Sequence, residues 1–348
     1  MITLPEIIER DKRPPSVTVY MLCYNHEKYI EQAIKSVLMQ KTNFPVNIVI
    51  HDDASPDSSA EIIRRYASEN PNITAIIEES NCILHGKTFF QNMIPYFTGK
   101  YLAYCECDDY WIDENKLQIQ VDYLENNPDC IGVYSNFKKI NKFNKNIKIK
   151  LLSEGDYPKN WIRGVRHQLA TCVHRNFWRL AAQEDIDFYV SLKGSAGDQK
   201  LIALLVHLGR VHYFSQIFTT YRFIVDEGDS FSARTARLPE FERKVGNILW
   251  HSEVYRMLEH YFGKKYYHKY WFILYKEIRG RIKYHRSLIK EAHLAPCFQL
   301  ENIPWFMYAT FPFYVIFKFT FPPFHFAFRV VRKIYRILTG NSNYRQVR

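Results

Sequence analysis

The feature that most constrains this chain is a regular exchange of two hydrophobic periods along its N-terminal half. Runs rich in β-branched and apolar residues, VTVYML (17–22), VNIVI (46–50), ITAII (73–77), YLAYC (101–105) and IGVYS (131–135), read as buried strands. Between them, apolar residues recur at helical spacing. Tyr29, Ile30, Ala33, Ile34, Val37 and Leu38 mark one helix, and Ile62, Ile63 and Tyr66 mark another that opens near Asp57. A third helical stretch lies around residues 87–97, and Leu117, Val121 and Leu124 mark a fourth. The alternation predicts an α/β chain with a mostly parallel, Rossmann-like sheet flanked by helices. Ligands of such sheets sit at the carboxyl ends of the strands. The carboxylates of this sequence gather there.

Asp52-Asp53-Ala54-Ser55 follows directly on the run 46–50. Adjacent acids at a strand end repel unless a positive or hydrogen-bonding group lies opposite. The same residues also suit a turn in which Ser55 or Asp57 caps the next helix. Glu106-Cys107-Asp108-Asp109-Tyr110-Trp111 follows the run 101–105. Its crowded carboxylates suit a hard cation, because Mg²⁺ and Mn²⁺ take oxygen ligands and share carboxylates with substrate phosphates. On a strand edge, residues 106 and 108 would point the same way and face one ion. A further acid, Asp198, opens the helical stretch 197–208 in Gly197-Asp198-Gln199-Lys200-Leu201. Alone, such an acid is as readily a helix cap.

The ordered segments VTVYMLCYNHEKYIEQAIKSVLMQ, VNIVIHDDASPDSSAEII and GKYLAYCECDDYWIDENKLQIQ resemble the nucleotide-sugar-binding half of family 2 glycosyltransferases, which adopt the GT-A fold. The likeness runs from Val17 to Asn136, with Glu106-Cys107-Asp108 in an E-x-D-D-Y-W variant of the family's D-x-D. The resemblance implies that Tyr24 and Asn25 pass the nucleobase and that Asp53, with Asp52, binds the nucleoside. It implies that Asp108 holds Mn²⁺ or Mg²⁺ against the donor diphosphate, with Glu106 near the ribose and the metal's waters. Asp109 would line the donor sugar, and Asp198 would be the general base. HQLATCVHRNFW (167–178) resembles the acceptor-side segment, which puts Thr171 and His174, together with Trp111, on the acceptor side. The likeness is loose over Asn81–Asn92, where Lys87 would approach a phosphate or lie on the surface. It departs at YRFIVDEGDSFS (221–232), where Asp226, Glu227 and Asp229 replace a glycine- or histidine-rich loop.

The implied activity is an inverting, metal-dependent transfer from a nucleotide sugar, a UDP-sugar foremost, to a hydroxyl of a glycan or lipid-linked acceptor in cell-surface polysaccharide biosynthesis. The variant Glu106 and the acidic loop also suit an inactive nucleotide-binding or scaffold protein of the same fold. The expected catalytic domain spans 1–235, with a nucleotide-sugar half at about 16–137 and an acceptor half at about 151–235. Between the halves, the Asn-rich stretch Lys138 to Lys150 reads as an exposed connection, and 211–225 read as two strands.

The formal net charge is +11, and its distribution is uneven. Residues 240–348 hold 19 basic and 7 acidic side chains, while the first 239 hold 28 and 29. Nucleic acid, anionic lipid or an acidic acceptor would each explain a basic last third. That third, 236–348, reads as a helical, aromatic-rich extension, and residues 303–328 carry 12 of the chain's 56 aromatics. The charge-free stretch Asn302 to Phe317 is 16 residues, below the ~20 that a spanning helix needs. Aromatics beside Arg329, Arg332, Lys333 and Arg336 suit an element lying in an anionic membrane surface. The aromatics form an apolar block instead of alternating with basic residues, and no nucleic-acid-binding motif appears. Nucleic acid is therefore not an expected partner. The 7 cysteines are scattered without a zinc spacing, which suits free thiols in a reducing compartment. MITLPEIIERDKRPP carries charges where a signal peptide needs an apolar run. A cytoplasmic protein, peripheral at the inner face of the membrane, is expected.

Overall fold

A computed structural model describes residues 1–82, 90–157, 167–192, 197–225, 231–238, 253–254 and 256–263. All belong to the compact unit Met1–Glu277. The expectations for the aromatic block 303–328, for Lys87 and for the loop acids Asp226, Glu227 and Asp229 fall outside the described residues.

The chain enters through α1 (Leu4–Arg10), whose first turn is closed by a Thr3–Glu6 capping box. Strand and helix then alternate: β1 (Val17–Cys23), α2 (Ile30–Leu38), β2 (Val46–Asp52), α3 (Ser59–Glu69), β3 (Ile73–Ile77), α4 (Phe90–Met93) and β4 (Tyr101–Tyr104). The short β5 (Tyr110–Trp111), α5 (Lys116–Asn126), β6 (Cys130–Ile140), β7 (Gly155–Asp156) and β8 (Val173–Arg175) follow. The described part ends with α6 (Gln183–Ser191), α7 (Gly197–Leu208), β9 (Arg210–Arg222) and α8 (Phe231–Arg237), plus a helical piece at 256–262.

Among the described residues, one sheet runs in the order β3-β2-β1-β4-β8-β6-β9-β5, with β7 on β9. The β3-β2-β1-β4 half is wholly parallel, as the alternation predicts. Beyond β4 the sheet is mixed, because β8 runs antiparallel to both β4 and β6. Two antiparallel steps restore the direction, so β6 and its parallel neighbour β9 point the same way as β1–β4. The carboxyl ends of these six strands therefore share one edge of the sheet, and the segment leading into β8 approaches that edge from the opposite direction.

Period-two alternation feeds two cores. Val17, Val19, Met21 and Cys23 of β1, with Tyr101 and Ala103 of β4, face α2, α3 and α5. Tyr20, Leu102 and Tyr104 face the other way, toward α1, α6 and α7. Burying each such aliphatic or aromatic side chain is worth about 1.5–3 kcal/mol, which is why the pattern dominates the fold.

Three local readings change. The apolar run at 131–135 extends to Ile140, because β9 pairs along the whole of β6. Residues 211–225, expected as two strands, are the single β9; Ser215 to Ile217 are exposed where the register shifts around Asn136, which imitates a break. Asn136 fills that bulge, its amide donating to the Ser215 and Leu152 carbonyls at 2.8 Å. Of the helix expected over 87–97, the described residues 90–97 form α4 and a 3₁₀ turn at Ile94–Tyr96 containing Pro95, which cannot supply the amide a longer helix needs.

Two core positions generate expectations. A Cβ on Gly99 would lie 2.4 Å from the Thr18 amide nitrogen and 2.7 Å from Tyr101 O, both backbone atoms. Gly99→Ala should therefore cost about 3 kcal/mol or more in urea unfolding; a cost below 1 kcal/mol would show that β1 and β4 yield easily. His174 is buried, with its Nδ1 2.7 Å from the Arg175 carbonyl and its Nε2 2.9 Å from the Tyr104 hydroxyl. The carbonyl only accepts, so Nδ1 carries the proton and Nε2 accepts from tyrosine. Burial holds this imidazole neutral, down to a pKa of about 4. The unfolded chain protonates first, so stability should fall as pH drops from about 6.5 toward 4, by about 3 kcal/mol in the acid limit from this group. Unfolding at pH 7 and pH 4.5 should show a smaller pH difference for His174→Gln than for the original chain.

Candidate active site

The shared carboxyl edge is built by backbone ties between strand ends. The Asp53 amide donates to Cys23 O, joining β2 to β1, and the Cys105 and Cys107 amides donate to Tyr20 O and Leu22 O. The segment after β4 thus continues along β1 before it turns, with the Asp109 amide on Glu106 O. Residues 106–108 lie in that turn and not in a strand, so their directions are set by the turn.

Asp52 is fully buried, and both its oxygens serve Ser55, one accepting from the amide and the other from the hydroxyl. Ser55 Oγ in turn accepts from the Asn25 amide at 2.9 Å. This linkage holds the loop after β1 against the loop after β2. Both loops carry a left-handed residue, Asn25 (φ 59°) and Ala54 (φ 57°). Asp52, expected to contact the nucleoside, spends both carboxylate oxygens on this turn. Asp53 is equally buried; its Oδ1 accepts the Cys82 amide at 2.6 Å and its carbonyl accepts from the Asn81 side chain. Tyr24 is half-buried and Asn25 exposed beside it.

Glu106, Asp108, Asp198 and His26 come together on this edge. Burial raises the Glu106 carboxyl to about 8, with Asp108 and then Asp198 adding repulsion and His26 opposing it. Asp198, ninety positions along the chain from Asp108, is therefore within electrostatic reach of the Glu106–Asp108 pair. His26 Nε2 lies 3.9 Å from Asp108 Oδ2. Burial disfavours charge on His26, but Asp108 and then Cys23 outweigh it and raise the imidazole to about 9. Asp198, a third exposed at the start of α7, lies with Oδ2 3.6 Å from His167 Nε2, and its Oδ1 accepts the Gln199 amide at 2.8 Å.

Asp109 does not belong to this open group. It is fully buried, one oxygen accepting the Arg222 amide at 2.8 Å and the other the Gln168 side-chain amide. Burial, with Asp108 and Glu106, pushes its carboxyl well up. Asp109, expected along the donor sugar, ties the end of β9 and the segment before β8 to the acidic turn. The residues expected on the acceptor side, Trp111, Thr171 and His174, are buried as well. Trp111 is 1% exposed, its indole donating to Ala170 O and its ring under the Lys116 ammonium at 4.2 Å. Thr171 is fully buried, its hydroxyl donating to Gln168 O, and His174 is the core imidazole described above. Each carries a polar atom, but each spends it inside the protein.

The sequence reading missed Arg222, His26, Gln168 and His167. Arg222 ends β9, and its guanidinium lies 4.7 Å from the Tyr29 ring centroid and 4.8 Å from that of Tyr110. It donates to Asp108 O at 2.7 Å and to the Gln32 side chain. Its signal was a basic residue closing a long apolar run. His26 directly follows Tyr24-Asn25, so adjacency to that motif was its signal. Gln168 and His167 open the segment 167–178 that resembles the acceptor side, and that position was their signal.

The donor set fits one hard divalent cation completed by a ligand. Asp108 keeps its carboxylate partly open, while crowded acids around it favour a positive partner. No group of three His, Cys, Asp or Glu residues among the described residues is arranged to hold a metal alone, so substrate phosphates and water would supply the remaining oxygens.

Comparison with known proteins places this edge in context. Residues 18–180 match the family model for glycosyl transferase family 2. A protein of Mycobacterium bovis is 39% identical over 114 residues, 32% of each chain. A glycosyltransferase of Nostoc sp. is 31% identical over 131 residues, 38% of this chain and 39% of that one. The chain thus matches about a third of the length of these curated relatives. The crystal structure of S. aureus TarS residues 1-349 in complex with UDP-GlcNAc superposes with a TM-score of 0.51 at 14% identity, covering 76% of this chain and 71% of that one. That likeness shows a shared GT-A architecture. The family match falls on β1 through the acidic turn to β8, the elements that assemble the edge, and identifies residues 18–180 as a family 2 glycosyltransferase domain.

Proposed function

We propose that this glycosyltransferase moves a sugar from a UDP-sugar to a hydroxyl of a glycan or lipid-linked acceptor, with inversion at the anomeric carbon. The observation that carries the reading is the convergence of Asp108, Glu106 and Asp198 on one strand edge. The UDP-GlcNAc bound by TarS, which shares the architecture, supports the choice of donor.

In this reading the nucleoside lies across the loops carrying Tyr24, Asn25 and Asp53. The diphosphate points toward Asp108, which would hold Mn²⁺ or Mg²⁺, with Glu106 beside it. A divalent ion there supplies Lewis-acid stabilisation of the departing diphosphate. Arg222 holds the acidic turn in place through Asp108 O and Asp109. Asp198 takes the acceptor's proton as the hydroxyl oxygen bonds to the anomeric carbon and the carbon–phosphate oxygen bond breaks. One displacement moves the electron pair of the breaking bond onto the diphosphate, with no covalent enzyme intermediate. His167, beside Asp198, limits that carboxylate's freedom. The protein would act at the cytoplasmic face of a membrane, with the basic extension 236–348 at an anionic surface and cell-surface polysaccharide as the product. Among the described residues no helix is long and apolar enough to cross a membrane.

Two variants test the roles separately. Asp198→Asn should retain UDP-sugar binding by calorimetry and lose transfer by roughly 100- to 10,000-fold, the range of a general base. Transfer near the original rate would remove Asp198 from the chemistry. Asp108→Ala should abolish the strengthening of UDP binding by Mn²⁺, and an unchanged metal effect would place the ion elsewhere.

A further inference from the structure

We propose that the lysine hairpin at residues 138–150 is a docking element for an anionic lipid surface, with Phe143 entering the headgroup interface. The hairpin grows directly from the end of β6. Ile140 bridges Asn146, and the Ile147 amide donates to Lys139 O at 2.7 Å. The tip is preformed: Asn141 Oδ1 accepts the amides of Phe143 and Lys145, both at 3.0 Å, and Asn144 takes the left-handed conformation. On this fixed turn Phe143 is 68% exposed, the largest exposure among the described large apolar side chains.

The charge along the hairpin sequence has one sign. Lys138, Lys139, Lys142, Lys145, Lys148 and Lys150 fall in a stretch, 137–153, without a single Asp or Glu. Lys139 is engaged below the tip, 3.4 Å over the Phe223 ring, and Lys142 lies 5.3 Å from the Phe143 ring. Lys138, Lys145, Lys148 and Lys150 are exposed. An aromatic ring held out among lysines is costly in water and matches the bilayer interface, where the ring is buried and the ammonium groups meet anionic headgroups. A soluble polyanion would satisfy the lysines but leave the ring in water, so the lipid surface is the better partner.

Its placement matters for the site. Ile140 is paired with Arg222, the residue that bonds Asp108 and Asp109. The hairpin therefore stands on the strand edge that carries the acids. A membrane seated on it would lie beside the groups assigned to transfer, which favours an acceptor presented from that surface. This orientation rests on the proposed transfer reaction, whereas lipid binding by the hairpin is independent of it.

The test uses the full chain and vesicles of phosphatidylcholine with or without phosphatidylglycerol, read by co-sedimentation without donor or acceptor. The original chain should bind only the anionic vesicles. Joint replacement Lys142→Gln, Lys145→Gln, Lys148→Gln and Lys150→Gln should weaken binding by roughly five-fold per lysine and flatten its salt dependence. Phe143→Ser should weaken binding while leaving the salt dependence in place. UDP binding and the urea midpoint, unchanged in both variants, confirm an intact fold. Three results would overturn the proposal: no binding by the original chain, equal binding to neutral vesicles, or unchanged vesicle binding by the lysine variant. Loss of dextran sulfate binding with vesicle binding retained would assign the hairpin to an acidic glycan instead. UDP binding and sugar transfer report separately on the catalytic reading, so either idea can fail without the other.

Discussion

Repulsion between carboxylates on one strand edge is the constraint that organises this molecule. Glu106, Asp108, Asp109 and Asp198 converge where four parallel strands and β9 end, and burial magnifies the cost of charge there. The fold meets that cost in two ways. It removes Asp109 from the open group by giving each oxygen a donor, from Arg222 and Gln168. It leaves Asp108 partly open, with His26 at 3.9 Å as its ion-pair neighbour among the described residues. The open acids make this edge favourable to a positive partner.

Arg222 shows how the second half of the chain takes part in this balance. Its amide, guanidinium and flanking rings bind Asp109, Asp108 O, Gln32, Tyr29 and Tyr110. These partners come from α2, the loop before it, the acidic turn and β5, so one residue locks β9 to the parallel half. The antiparallel β8 makes this geometry available, because two reversals of direction bring the end of β9 to the edge where β1 and β4 end. A wholly parallel sheet would have needed a crossover at each step.

The sequence made the β1–β4 half legible because each strand there is covered on both faces, so burial imposes a continuous apolar run at each one. It was less legible beyond residue 135. The exposed bulge at Ser215–Ile217 breaks the apolar pattern of β9 without breaking the strand, since Asn136 satisfies the carbonyls that the bulge frees. At the site, residue type was informative but direction was not. Asp52 and Asp53 are adjacent and alike in sequence, yet one closes a turn with Ser55 and the other binds the Cys82 amide. Trp111, Thr171 and His174 are polar enough to suggest a cleft, but their hydrogen bonds point inward to Ala170, Gln168, Tyr104 and Arg175. Such choices depend on partners distant in sequence, and a local pattern does not encode them.

The division of charge follows from the same constraint. Fixed lysines inside the acidic edge would pair with Asp108 and Asp198 and close both carboxylates. Lys138 and Lys139 lie near the end of β6, and Lys142, Lys145, Lys148 and Lys150 stand past it, on a hairpin that begins at Ile140, the partner of Arg222. There the exposed Lys145, Lys148 and Lys150 place positive charge beyond the acidic turn. Separation by a few residues of strand is enough, because short pairs dominate in the buried edge while exposed charges are screened within about 10 Å. Basic and acidic groups coexist at one end of the sheet because the hairpin after β6 carries lysines outward while the turn after β4 holds the acids in.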